Sequence, residues 1–77
     1  MTPAELRAKL DQAREEARDA ARVLFMVGQA ASDPATPPAA AARLDVEVEV
    51  ARTRLDLWCD VVTELEARAR LLGVEAA

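Results

Sequence analysis

The 77-residue chain has a net charge of −4, one cysteine, no histidine and two aromatic residues. This composition excludes a disulfide framework, and any zinc site would have to rest on carboxylates alone, so we expect neither a metal nor a cofactor. The acidic balance argues against nucleic acid as the main partner, because phosphate binding needs a basic face.

The first predicted element is a helix over residues 3–31. Thr2 caps its first turn, Pro3 takes the first helical position, and the Glu5 carboxylate is placed to satisfy a second backbone N–H. Apolar residues then recur at alternating intervals of four and three, which is typical of a helix that packs against another. They form the inner stripe of this helix: Leu6, Leu10, Ala13, Ala17, Ala20, Leu24, Val27 and Ala31. Because the stripe continues past Gly28, we expect the helix to do the same.

Residues 32–38 form a predicted connector. Asp33-Pro34 and Thr36-Pro37-Pro38 cannot continue a helix, because proline biases the residue before it away from helical dihedral angles. We expect Thr36 to cap a second helix whose first turn contains the two prolines. The connector is short, so the two helices should be antiparallel neighbours.

The second helix is predicted over about residues 37–73, followed by a tail at 74–77. Its inner stripe has the same spacing: Leu44, Val48, Ala51, Leu55, Trp58, Val62, Leu65, Ala69 and Leu72. Residues 44–50 alternate between apolar and acidic side chains, which alone would favour a strand. The flanking residues favour a helix, and no second strand is predicted to pair with this stretch. Gly73 suits the left-handed position after a helix end.

Together these elements predict an all-α fold: one domain over residues 1–77, built as an antiparallel two-helix hairpin. Folding the chain about its connector places Trp58 and Leu55 opposite Ala13 and Ala17. Large residues over small ones let the two helix axes approach closely.

Several apolar residues lie outside the inner stripes. They form the predicted interaction face: Val23, Phe25, Met26, Val46, Val50, Leu57 and Val61. A hairpin has one internal interface and cannot bury them, and burial of about seven such side chains would contribute on the order of 10 kcal/mol. We therefore expect a partner, either a second copy that completes a four-helix bundle or another protein in a larger assembly.

No residue pattern predicts catalysis. A reactive Cys59 would need a base such as histidine, so we expect Cys59 to flank the core, with an inter-subunit contact as the alternative. Four acidic residues lie at helical spacing but lack the Glu-x-x-His element of di-iron bundles. They are Asp45, Glu49, Asp56 and Asp60. We predict a non-enzymatic protein without catalytic, cofactor-binding or metal-binding residues.

The expected function is that of a helical interaction or structural protein, a small subunit of a bacterial or phage assembly. Arginine outnumbers lysine nine to one, which is typical of high-GC genomes. The alternative is a small acidic regulator, phage-encoded or bacterial, that binds and blocks a host protein. The sequence shows no signal-peptide pattern at its start and no apolar run of membrane-spanning length. We therefore expect a cytoplasmic protein, or one within a phage particle made there.

The hairpin shape and chain length invite comparison with the small secreted helical hairpins that carry a Trp-x-Gly turn. That motif is absent here, because Trp58 lies within the second predicted helix and is followed by Cys59 and Asp60.

Overall fold

The computed structural model describes residues 1–74. Two helices, α1 (Pro3–Ala31) and α2 (Pro38–Leu71), account for most of this part of the chain. An early residue of α1 meets a late residue of α2 in the ion pair of Arg14 with Glu66 (3.1 Å), so the helices run antiparallel. The molecule is a rod of 52 × 15 × 14 Å. The predicted all-α hairpin is confirmed.

The first turn of α1 is capped by the residues just before it. The Glu5 backbone N–H donates to the Thr2 hydroxyl oxygen (3.1 Å), and the Leu6 N–H donates to the Thr2 carbonyl (3.0 Å). Pro3 has no N–H to satisfy. The Glu5 carboxylate accepts a hydrogen bond from the Thr2 hydroxyl (3.2 Å) and not from the Thr2 backbone N–H. Only half of the expected reciprocal cap is therefore formed.

Both ambiguous stretches of the sequence are helical. Gly28 lies inside α1, and its carbonyl accepts a hydrogen bond from the Ser32 N–H (3.1 Å). No heavy atom lies within 4 Å of the position that a Cβ on Gly28 would take, so packing does not require glycine there. Residues 44–50, whose alternation resembles a strand, lie inside α2.

The connector differs from prediction at the start of α2. Pro37, and not Thr36, occupies the N-cap position, and no side chain caps that end. The Thr36 hydroxyl instead donates to the Ala30 carbonyl in the last turn of α1 (2.9 Å). The predicted Thr36 cap is wrong for a physical reason. The Ala30 carbonyl lies within reach of the Thr36 hydroxyl. At the start of α2, Pro37 and Pro38 remove two of the N–H donors that a cap would satisfy.

The inner stripes of the two helices form the shared core. Six of the described residues are buried, and all six belong to these stripes: Leu6, Leu10, Ala13, Ala20, Ala51 and Ala69. All the other stripe residues except one are half-buried, because each helix has only one neighbour to cover it. The exception is Leu72, which is 61% exposed, against the prediction. Since α1 begins at Pro3, little of it remains to cover the end of α2.

A glycine closes the far end of α2, which stops two residues earlier than predicted. Gly73 has φ 68°, in the left-handed region that other residues rarely adopt. Its N–H donates to the Arg70 carbonyl (3.2 Å), and the Val74 N–H donates to the Ala69 carbonyl (2.8 Å). This pair of hydrogen bonds is a Schellman motif. The rest of the predicted tail, residues 75–77, lies outside the described part of the chain.

Candidate protein interaction surface

A row of apolar side chains on α2 faces away from α1. Val46 and Val50 are each 63% exposed and Leu57 is 62% exposed, while Val61 is half-buried. Their spacing of four, seven and four residues keeps them on one face of the helix, about 120° around from the inner stripe. These four residues are termed the α2 outer row. The hairpin by itself leaves most of this row in contact with water.

The connector half of the outer row forms one wall of a groove between the helices. Val46 and Val50 line this groove from α2, and Val23 lines it from α1. The groove, termed the valine groove, has a volume of about 270 Å³ and is open to solvent. Its walls are mainly apolar, and Glu47 and Arg54 supply opposite charges at its rim.

The other half of the outer row borders a second groove on the same side of the hairpin. Val61 lines it together with Trp58 and with Ala13 of α1, so Trp58 lies over an alanine as the sequence predicts. Leu57 lies one turn before Val61 on the same row. This side of the hairpin is termed the groove side.

Met26 extends the apolar surface towards the connector. It follows Val23 by one turn of α1 and is exposed. It borders an open recess with Ala30 and the connector residue Asp33. The groove side therefore carries apolar side chains from both helices, and they are densest near the connector.

Phe25 lies on the opposite side of the hairpin. Arg14, Arg18 and Cys59 line a groove there. Phe25 follows Arg18 by seven residues, or about two helical turns, and so shares its face of α1. Phe25 is 65% exposed, but it is separated from Val23 by the body of α1. The structure thus places five of the seven predicted face residues on the groove side, Phe25 on what we term the cysteine side, and Met26 beside the connector, outside both grooves.

Cys59 is an exposed free thiol. It lines a groove with the inner-stripe residues Ala17 and Val62, so it lies at the solvent edge of the core. It follows Trp58 by one residue, and this step turns its side chain about 100° away from the inner stripe. Its carbonyl accepts a hydrogen bond from the Thr63 hydroxyl (2.9 Å).

Within residues 1–74, ion pairs connect the two helices. Arg14 and Glu66 are both partly buried and meet at 3.1 Å. On the groove side, Arg54 of α2 reaches Glu16 of α1 at 3.8 Å. The other ion pairs among residues 1–74 join neighbouring turns of one helix. Exposed pairs of this kind contribute about 0–1 kcal/mol each to the stability of the fold, so they are a minor part of it.

One carboxylate has a perturbed acidity. The Arg18 guanidinium donates a hydrogen bond to Glu15 (2.9 Å), and this bond, together with the charge of Arg18, lowers the pKa of Glu15 below its ordinary 4.5. Arg22 adds a smaller effect in the same direction. Glu15 is exposed and lies beside no groove that could hold a substrate, so the shift is that of a surface ion pair.

A row of acidic residues runs beside the α2 outer row. Each member immediately precedes one residue of the outer row, and all are exposed: Asp45, Glu49, Asp56 and Asp60. Within residues 1–74, no three Cys, Asp or Glu side chains lie close enough together to hold a metal ion. The acidic row is thus a charged border of the groove side.

One part of the exposed apolar surface escaped the sequence analysis. Leu71 is 88% exposed and follows Leu57 by fourteen residues on the same face of α2. The sequence contains a signal for it. Repeating the seven-residue spacing between Val50 and Leu57 leads to position 64 and then to Leu71.

Neither described helix contains a stretch that is long and apolar enough to cross a membrane. Comparison of the chain with protein-family models, curated proteins and solved structures found no match.

Proposed function

We propose that this chain is a non-enzymatic helical interaction protein, a small structural subunit of a bacterial or phage assembly. It works by docking the groove side of its hairpin onto another protein chain. The observation that carries this proposal is the exposure of the α2 outer row beside the valine groove. Docking would give these side chains the second layer that one hairpin lacks.

The magnitude of the apolar surface supports docking. Covering the exposed parts of the outer row, with Val23, would contribute on the order of 5–10 kcal/mol. Association costs about 4–15 kcal/mol in lost translational and rotational freedom. The apolar gain is therefore large enough to offset much of that cost, and shape complementarity and charge decide the remainder.

The character of the grooves supports the non-enzymatic part of the proposal. Each groove is open to solvent, whereas catalysis profits from an enclosed site where charges are poorly screened. The chain has no histidine to act as a base near neutral pH.

The test introduces charge into the docking surface. Val50→Asp and Leu57→Asp change exposed residues, so we expect both variants to keep the helical circular dichroism of the wild type. Light scattering should show the wild type as an assembly at micromolar concentration and both variants as monomers. Phe25→Asp is the matched control, because it makes the same change at an equally exposed residue on the cysteine side. If the wild type assembles and both groove-side variants retain its mass, the proposed docking surface is wrong.

A second candidate function is that of an acidic regulator that binds a basic protein. It is favoured by the acidic row, in which Asp45, Asp56 and Asp60 form no ion pair with any described residue. Attraction through this row weakens as salt screens it, whereas apolar docking does not. A partner captured from the host whose binding is lost with Asp56→Lys but retained with Leu57→Asp would favour this alternative.

A further inference from the structure

We infer that the chain covering the groove side is a second copy of this hairpin, related to the first by a two-fold axis that passes between the two α2 helices at the level of Thr53 and Arg54. The inference rests on the proposed docking role of the groove side and names its partner. Three features of α2 and one of the groove lead to it.

The first feature is the symmetry of the α2 outer row about its own centre. Val46 and Val61 are equally distant from the point between residues 53 and 54, and so are Val50 and Leu57. When two copies of α2 meet antiparallel at this point, Val46 faces Val61 of the second copy, and Val50 faces its Leu57. Every apolar member of the row is thereby placed against another apolar member.

The second feature is a pair of opposite charges that continues the same symmetry. Arg43 lies three residues before Val46, and Glu64 lies three residues after Val61. In the antiparallel pair, Arg43 faces Glu64 of the second copy at both ends of the row. Arg43 has no ion pair with any described residue, and Glu64 pairs with Arg68 of its own helix (3.1 Å). A parallel pair would instead set like charges against each other, so charge selects the antiparallel one.

The third feature is the state of the polar residues nearest the axis. The Thr53 hydroxyl donates to the Glu49 carbonyl within its own helix (3.0 Å). The Arg54 guanidinium is directed across to Glu16 of α1 (3.8 Å). The Thr53 hydroxyl therefore already has its hydrogen bond and can be covered. Arg54 is 63% exposed, so its N–H donors stay in water at the edge of the interface while Glu16 offsets its charge.

The valine groove accounts for the fit between the copies. Leu57 projects from the outer row of one hairpin, and it lies opposite Val50 of the other, where the groove opens towards Val23. Each copy therefore inserts one leucine into the groove of its partner. Such reciprocal contacts are the mark of a two-fold interface, in which one surface patch serves both subunits.

The dimensions of the hairpin agree with a stable dimer. Its broad face measures 52 by 15 Å. An area on the order of 800 Å² per partner is typical of a stable, specific interface, and a face of this size can supply it.

Cysteine cross-linking tests the position of the axis. In a Cys59→Ser background, Thr53→Cys should form a disulfide-linked dimer on mild oxidation, because the two copies of residue 53 lie beside the axis. Val46→Cys alone should not cross-link, since its two copies lie about 22 Å apart along the helices at 1.5 Å per residue. An equimolar mixture of Val46→Cys and Val61→Cys chains should cross-link as a heterodimer. The wild type should form no disulfide dimer, because Cys59 lies on the cysteine side.

These results distinguish the docking role of the groove side from the identity of the partner and from the position of the two-fold axis. A wild type that stays monomeric overturns the second copy and leaves docking to a different protein chain. A dimer in which Val46→Cys cross-links by itself, or in which Thr53→Cys does not, overturns the two-fold axis while the docking role stands.

Charge reversal tests the orientation independently. Arg43→Glu and Glu64→Arg should each weaken the dimer by about tenfold, because each sets like charges together at both ends of the row. The double variant restores the opposite charges and should return to within about threefold of the wild type. Failure of the double variant to recover, with helical content unchanged, would overturn the antiparallel pairing.

Discussion

The two halves of the hairpin differ in how completely they cover their apolar residues. At the open end, where α1 begins and α2 ends, Leu6 and Ala69 have no exposed surface and Leu10 has almost none. In the connector half, no residue from 21 to 50 is buried, although the inner stripes continue through it. An apolar stripe with the correct spacing is therefore not sufficient to make a core.

The contacts at each end of the hairpin explain part of this difference. Leu6 and Leu10 of α1 and Ala69 of α2 are all buried at the open end. In the connector half, the valine groove opens between the helices. Val74, whose N–H donates to the Ala69 carbonyl, also turns back at the open end. The connector half has no such third layer, and its valine groove is where we place Leu57 of the second copy.

The largest expected effect comes from removing a leucine in each half. Leu10→Ala should cost about 2–5 kcal/mol, because it leaves a cavity in the closed core. Leu24→Ala should cost less than half as much, because Leu24 is already half-exposed. Both are measured by urea denaturation followed by circular dichroism, in a Leu57→Asp background that keeps the hairpin monomeric. Equal costs would mean that the two halves are covered equally well.

The two glycines should respond with opposite sign. Gly73→Ala forces a side chain into the left-handed region and should cost about 1–2 kcal/mol. Gly28→Ala should stabilise the hairpin by about 0.5–1 kcal/mol, because Gly28 is helical and its added methyl group meets no atom within 4 Å. Thermal unfolding of both variants beside the wild type measures the difference. A destabilised Gly28→Ala would show that another chain occupies that space.

The capped start of α1 contributes to the stability of the open end. Thr2→Ala removes the hydroxyl that accepts the Glu5 N–H and should cost about 1 kcal/mol. Thr2→Ser keeps that hydroxyl and should retain nearly all of the stability, as measured by urea denaturation. If serine and alanine were equally destabilising, the hydrogen bond would not be the cause.

The smallest expected effect concerns the acidity of Glu15. Its pKa in the folded chain is lowered by the Arg18 hydrogen bond, so the ionised form favours folding. That contribution is present above the unfolded-state pKa and disappears as the pH falls through the lower folded-state pKa. An NMR titration should place Glu15 below its ordinary 4.5, and Arg18→Gln should return it towards that value. A Glu15 that titrates at or above 4.5 in the wild type would contradict the ion pair.

The helices could be predicted from the sequence because their signals are local. Thr2 and Pro3 mark the start of α1, Gly73 marks the end of α2, and the four-three spacing identifies which residues face inward. The predictions that fail concern contacts between elements. Thr36 bonds to the end of α1, and Leu72 is uncovered because α1 begins beside it and extends no further. The valine groove depends on the separation of two helices, which no local pattern specifies.

Small-angle X-ray scattering tests the central claim most directly, because it measures mass and length together. A single hairpin has a radius of gyration near 16.6 Å, a length near 52 Å and a mass of 8.3 kDa. The proposed axis lies beside α2 close to the middle of this helix. Two copies should therefore overlap along nearly their whole length. We therefore expect twice the mass of one chain with almost no increase in length. The mass of one chain throughout the micromolar range, or a doubled mass with a nearly doubled length, would contradict the account.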